Sequence, residues 1–194
     1  MTNKLLRCKW SDEECKQLHK KMLLQDYRIK NFVCGSENFI YLENSSVIVE
    51  GYKFYGSPYS LHEPYIKSAC CSSTDTPSAA FKLKNDLHQS HQTWSNIPTD
   101  TEILLTHSPP FMLGDKNKQG FHNGCLSLLK RVTEEVRPYF HIFGHEQNSH
   151  GIYALNENDC ETIFVNATSS DGRGGIGGKG YEAIVFDLPR RIGK

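Results

Sequence analysis

The sequence lacks most features that would assign a protein to a compartment or a partner at sight. Its apolar runs are only a few residues long, whereas a helix needs about 20 such residues to cross a bilayer. Neither sign of charge dominates: 22 Lys and Arg balance 22 Asp and Glu. That balance excludes a whole-chain field able to recruit nucleic acid or an anionic membrane. The opening residues, Met1 to Arg7, are too polar for a secretory signal. The seven cysteines are odd in number and lack both framework spacing and paired CxxC motifs, so reduced thiols and a cytoplasmic location are expected. The vicinal pair Cys70-Cys71 receives no role. No G-x-S-x-G elbow is present, which argues against an elbow-type serine hydrolase. Gly177-Gly178-Lys179-Gly180 is no P-loop, because neither Ser nor Thr follows the lysine.

What remains is an ordinary globular composition of 38% hydrophobic and 23% charged residues in 194. A chain of that size can bury a real core, and a single domain spanning 1–194 is expected. Ser11-Asp12-Glu13-Glu14 has the form of a capping box, and Cys15, Leu18 and Met22 behind it predict a helix over about 11–25. Phe39 to Leu42, Ser46 to Glu50 and Tyr52 to Tyr55 read as strands of a β-meander, with Glu43-Asn44-Ser45 as a hairpin turn. Ser60 to Ala80 reads as a surface loop, and Asp86 to Trp94 as a short helix.

The stretch Glu102-Ile103-Leu104-Leu105-Thr106 then runs as a strand straight into His107, and Pro109-Pro110 forbids its continuation. Phe140-His141-Ile142-Phe143-Gly144 repeats the arrangement and ends in His145. Between them Cys125, Leu128, Leu129, Val132 and Val136 mark a buried helical stripe that Pro138 terminates. Strand, helix and strand make a βαβ unit with parallel strands, which places both histidines at one edge of the sheet. Ligands of open α/β sheets bind beyond the carboxyl ends of the strands. His107 and His145 are therefore the expected metal or phosphate ligands. Two more strands are expected at Thr162 to Val165 and Ala183 to Phe186, joined by the glycine-rich loop Asp171 to Gly180.

Other motifs read as bland. Gly172-Arg173-Gly174-Gly175-Ile176-Gly177 has the letters of a dinucleotide fingerprint, but a strand rather than a helix follows. Asp86-Leu87-His88, the helical pair His88 and His91, and Gly114-Asp115 are expected to be surface residues. Glu146 is expected to point away from the strand tip that presents His145.

Several of these segments together resemble one family. Thr106-His107-Ser108-Pro109-Pro110, Asn123-Gly124-Cys125 with Leu128-Leu129, Val136-Arg137-Pro138, Phe143-Gly144-His145, Val165-Asn166-Ala167 and Phe186-Asp187-Leu188-Pro189 are similar, in order and spacing, to calcineurin-like metallophosphoesterases. Ile40-Tyr41-Leu42 and Phe54-Tyr55-Gly56-Ser57-Pro58 extend the match, which covers about 39–189. The metallophosphoesterase-domain-containing branch is the most similar.

The resemblance implies an α/β fold, a partial αββα sandwich of mixed sheets with flanking helices. It also implies a phosphodiester hydrolase using Mn, Fe or Zn on a small phosphoester or nucleotide. His107 and His145 match metal ligands of that pattern, and Gly144, Gln147 and Asn166 fall in its pocket. The sequence also departs from the family. No D-x-H, G-D or G-N-H precedes the matched region, and Gln147 stands where a second histidine is expected. The sequence thus reads as a truncated domain, without the N-terminal βα units, whose dinuclear site is incomplete and whose activity alone is weak. A non-catalytic remnant that binds a nucleotide, phosphate or protein is the alternative.

Overall fold

The computed structural model describes residues 40–61, 81–83, 87–155, 160–171 and 180–188. Contacts divide the chain into two compact units, 1–41 and 42–194, and almost every described residue belongs to the second. The helix expected over about 11–25 lies outside the described residues, as do most of the 60–80 loop and positions 172–179 of the glycine-rich loop.

The framework is a six-stranded sheet. Its strands are β1 (Ser45–Val49), β2 (Tyr52–Ser57), β5 (Ile103–Thr106), β6 (Phe140–Phe143), β7 (Gly151–Ala154) and β8 (Ile163–Asn166), in the order β1-β2-β5-β6-β8-β7. The inner four run parallel, and β1 and β7 close the two edges antiparallel. A separate pair of two-residue strands, β3 (Ser60–Leu61) and β4 (Lys82–Leu83), lies parallel. An α/β protein with a mixed sheet is thus what the sequence makes.

Side chains alternate across each strand, so the sheet has two distinct faces. Tyr55, Leu104, Phe143 and Phe164 point to one, where they meet Trp94, Leu128, Val132 and Val136 from the helices. Tyr52, Ile103, Phe140 and Val165 point to the other, against Ile184, Phe186 and Leu188 from the 180–188 segment. Phe186 stacks on Phe140 with ring centroids 4.4 Å apart.

Helix α1 (Leu87–Ser95) realises the short helix expected at 86–94. The second helix differs from the single α-helix expected. It runs as α2 (Leu126–Lys130) and then widens into a π-helix over Arg131–Val136. Arg137 closes it in the left-handed conformation (φ 49), its N–H donating five residues back to the Val132 carbonyl. The buried positions Leu128, Val132 and Val136 are spaced by four, and the wider turn keeps all three on the sheet side. Trp94 Nε1 donates to Cys125 Sγ at 3.1 Å and ties α1 to the start of α2. Cys125 and Cys160 are buried free thiols.

Four local expectations are corrected. The hairpin turn is Glu50-Gly51, not Glu43 to Ser45: both residues take positive φ (49 and 81), the geometry of a two-residue turn that matches strand twist. Among the described residues Ile40 to Leu42 is no strand. The third strand of the supposed meander pairs in parallel with β5, so only β1 and β2 form a hairpin. Ala183 to Phe186 joins no ladder, because β7 already occupies the far side of β8. These residues instead lay their apolar side chains on the sheet face. Strand β7 was not anticipated; its Ile152 and Ala154 are exposed, and four residues with so little apolar pattern give a weak strand signal.

Candidate functional site

Strands β5 and β6 are adjacent and parallel, registered Ile103 to Phe140, Leu104 to His141 and Leu105 to Ile142. His107 follows β5 directly, and His145 follows β6 after one glycine. Their imidazole rings stand with centroids 4.9 Å apart, inclined at 57°. The backbone holds this juxtaposition: His107 N–H donates to the Ser57 carbonyl at 3.2 Å, and Gly144 N–H to the His107 carbonyl at 3.2 Å. His145 itself has φ 70, a left-handed conformation that costs a non-glycine residue energy and recurs at functional positions. It turns the chain sharply where the β6 ladder ends.

Both histidines reach solvent. Partial desolvation, and after it the neighbouring His145, hold the His107 imidazole below the ordinary histidine range. At pH 7 it is therefore neutral and has a lone pair to offer. Behind the pair, His141 is fully buried. Its Nε2 lies 2.8 Å from Thr106 Oγ1, whose hydroxyl hydrogen goes to the Ser108 carbonyl at 2.7 Å. The hydroxyl therefore accepts from His141 Nε2–H, and the turn carrying His107 is braced from inside the sheet. Burial pushes the His141 imidazole down to about 3.

Two loops frame the pair, and buried polar groups stitch them together. Asp115, expected on the surface, is 1% exposed. One carboxylate oxygen accepts from Met112 N–H and Gly124 N–H, both at 2.9 Å, and the other lies 2.6 Å from His122 Nδ1. The correction has a simple cause: the loop from Pro110 to Cys125 folds around a carboxylate that satisfies its own inward amides. Gly124 is required there, since a Cβ would sit 2.2 Å from the Pro110 carbonyl oxygen and 2.7 Å from Asp115 Oδ2.

Asn166 is wholly buried and donates from Nδ2 to the Gly114 carbonyl (2.8 Å) and the Glu146 carbonyl (2.9 Å), clamping one loop to the other. Asn123 Nδ2 donates to Glu146 Oε1 at 3.0 Å, and Ser149 Oγ donates to the Lys116 carbonyl at 2.9 Å. Gly144 and Asn166 thus join backbone segments, while Gln147 borders an open cleft beside His145. His88 and His91 lie on α1, where His88 is solvent-exposed and His91 Nδ1 is 3.4 Å from Ser95 Oγ.

Among the described residues, no group of three His, Cys, Asp or Glu side chains is placed to hold a metal ion. Asp115 serves backbone amides and His122, and Glu146 takes the Asn123 amide. Two imidazoles without a free carboxylate do not fit a dinuclear centre, since neutral donors cannot offset the charge of two divalent cations. The Asp115, Asn123 and Glu146 network escaped sequence reasoning. Gly114-Asp115, Asn123-Gly124 and Glu146 were each visible separately, and nothing in the letters shows that the loop closes inward and joins them.

No family model matches the sequence. A UPF0046 protein of Caenorhabditis elegans is 31% identical over 161 residues, covering 81% of this chain and 50% of that protein. A second UPF0046 protein of the same nematode is 33% identical over 156 residues, covering 79% and 45%. Human metallophosphoesterase domain-containing protein 1 is 33% identical over 132 residues, covering 68% and 35%. The chain thus spans about half the length, or less, of these curated relatives.

Proposed function

We propose, from the premise that this chain belongs to the metallophosphoesterase-domain-containing family, that it carries the imidazole side of a phosphodiester-hydrolysing site. The supporting observation is the His107 and His145 ring pair, 4.9 Å apart beyond adjacent parallel strands. Crevices of that kind are where open α/β sheets bind ligands. The calcineurin-like sandwich, a cytoplasmic setting and a small phosphoester or nucleotide substrate belong to the same proposal.

A family of this name calls for a divalent cation, with Mn, Fe and Zn as the chemical candidates, and it would act as a Lewis acid on the phosphoryl oxygens. His107 and His145 would be its ligands here. The donors among the described residues fall short of a dinuclear centre, so the work assigned to them is phosphate binding. A neutral His107 accepts a proton when an anionic ester arrives, because a nearby negative charge raises its proton affinity. The resulting charge-assisted hydrogen bond is stronger than a neutral one. Ser57 and Thr106 hold the strand ends in place beneath it.

Turnover of bis-p-nitrophenyl phosphate with added manganese tests the proposal. This polypeptide alone is expected to stay near background while binding inorganic phosphate, and His107→Ala or His145→Ala should abolish the binding. Turnover well above background that His107→Ala removes would overturn the incomplete-site reading. Absence of phosphate binding at millimolar concentration would overturn the imidazole pair as a phosphate site.

A further inference from the structure

Beside His145 lies a cleft of about 230 Å³ between the loop from Asn117 to Asn123 and the turn after β6. By the volume of liquid water it has room for roughly eight waters, so it takes a single small ring rather than a lipid or an extended peptide. Five carboxamides line it: Asn117, Gln119, Asn123, Gln147 and Asn148. The His145 imidazole is the sole aromatic ring among its described lining residues, Lys118 supplies a positive charge, and the Glu146 carboxylate, bonded to Asn123, a negative one.

Two of the five carboxamides, Asn117 and Asn123, are held by hydrogen bonds, while Gln119 and Asn148 are exposed. Asn117 Oδ1 accepts from Gln119 N–H and Phe121 N–H, both at 3.0 Å, which fixes its amide plane. Asn117 Nδ2 is buried and finds no acceptor among the described residues. Asn123 is fixed by Glu146, and the Ser149 to Lys116 bond joins the two walls.

We infer that this cleft binds the sugar or polyol portion of the phosphoester whose phosphate meets His107 and His145. Carboxamides offer donor and acceptor together, the pattern that adjacent hydroxyl groups match. A nucleobase calls for an aromatic or guanidinium platform on which to stack, and the described lining offers only the imidazole already assigned to phosphate. His145 both lines the cleft and pairs with His107, which is the ground for assigning one ligand to both sites. The inference rests on the phosphate reading above for its placement, though not for the chemistry of the cleft.

Two-dimensional NMR titration of the chain with inorganic phosphate, glucose 1-phosphate and adenosine 5′-monophosphate provides the test. Glucose 1-phosphate should bind about tenfold more tightly than phosphate, the worth of one or two well-made hydrogen bonds. It should also move the side-chain amide signals of Asn117, Gln119 and Asn148. Gln119→Leu with Asn148→Leu, both at exposed positions, should erase that advantage and leave phosphate affinity and melting temperature unchanged. No advantage for the sugar phosphate, or one that survives both substitutions, overturns the inference. So does an equal or larger advantage for the adenosine phosphate. If phosphate itself does not bind, the imidazole reading fails separately. Free glucose at high concentration then decides the cleft: shifts confined to these amides support it, and their silence overturns it.

Discussion

The two faces of the sheet are built from the same strands yet buried to different depths. On the helix side Leu104, Phe164, Leu128 and Val132 are completely inaccessible. On the other side Ile103 and Val165 are buried as deeply, but Phe54, Leu105 and Ile142 beside them remain half-buried. A helix covers a sheet as a continuous ridge, whereas an extended strip offers one row of alternate side chains. The helix face also carries the polar brace of the site, since His141 and Thr106 project from that side. The deeply buried helices and the brace behind the proposed site therefore share one face.

Neighbouring leucines on β5 give the sharpest way to break this contrast. Leu104→Ala should cost about 3–4 kcal/mol and Leu105→Ala about 1–2, the difference following burial at equal chemistry. Urea denaturation measures both, and equal losses would show that the strip covers its face as well as the helices do. The next effect is one of pH. His141 has its folded pKa depressed to about 3, while an unfolded histidine titrates near 6.5. The unfolded chain therefore binds the extra proton between those values. The stability involved is present in full above about 6.5 and is lost as pH falls toward 3, at up to about 1.4 kcal/mol per pH unit. Denaturation at pH 7, 6 and 5 should show that slope, and His141→Leu should remove this share of it.

The described strand residues of the strip face include no histidine and contribute no such slope. The smallest effect belongs to the edge hairpin, which lies at the margin of both faces. Gly51→Ala should cost about 1 kcal/mol, since φ 81 at that turn strains any residue with a Cβ. A neutral outcome in thermal melts would mean that the turn relaxes without disturbing β2.

The strand-to-histidine pattern was legible because it is local: four apolar residues, an imidazole, then a chain break. The βαβ unit was legible because the helical stripe from Cys125 to Val136 has its own period. Asp115 was not legible, since a carboxylate in a polar loop looks the same whether it faces water or three donors of its own loop. The Ala183 to Phe186 segment misled for the opposite reason. Its apolar alternation is real, and it serves a face rather than a ladder.

What the amino-acid order determined unaided was the alternation of strands and helix in the second half and the placing of His107 and His145 at one sheet edge; the family followed separately, from the resemblance of short motifs. Periodicity and chain stops act over a few residues, and right-handed crossover leaves a single arrangement of what they mark. What only the tertiary structure decided was the surroundings: the 4.9 Å approach of the rings, the Asp115 and Glu146 contacts, and the carboxamide cleft. Those depend on distant segments meeting, because a loop's polar groups take whichever partners the fold carries to them.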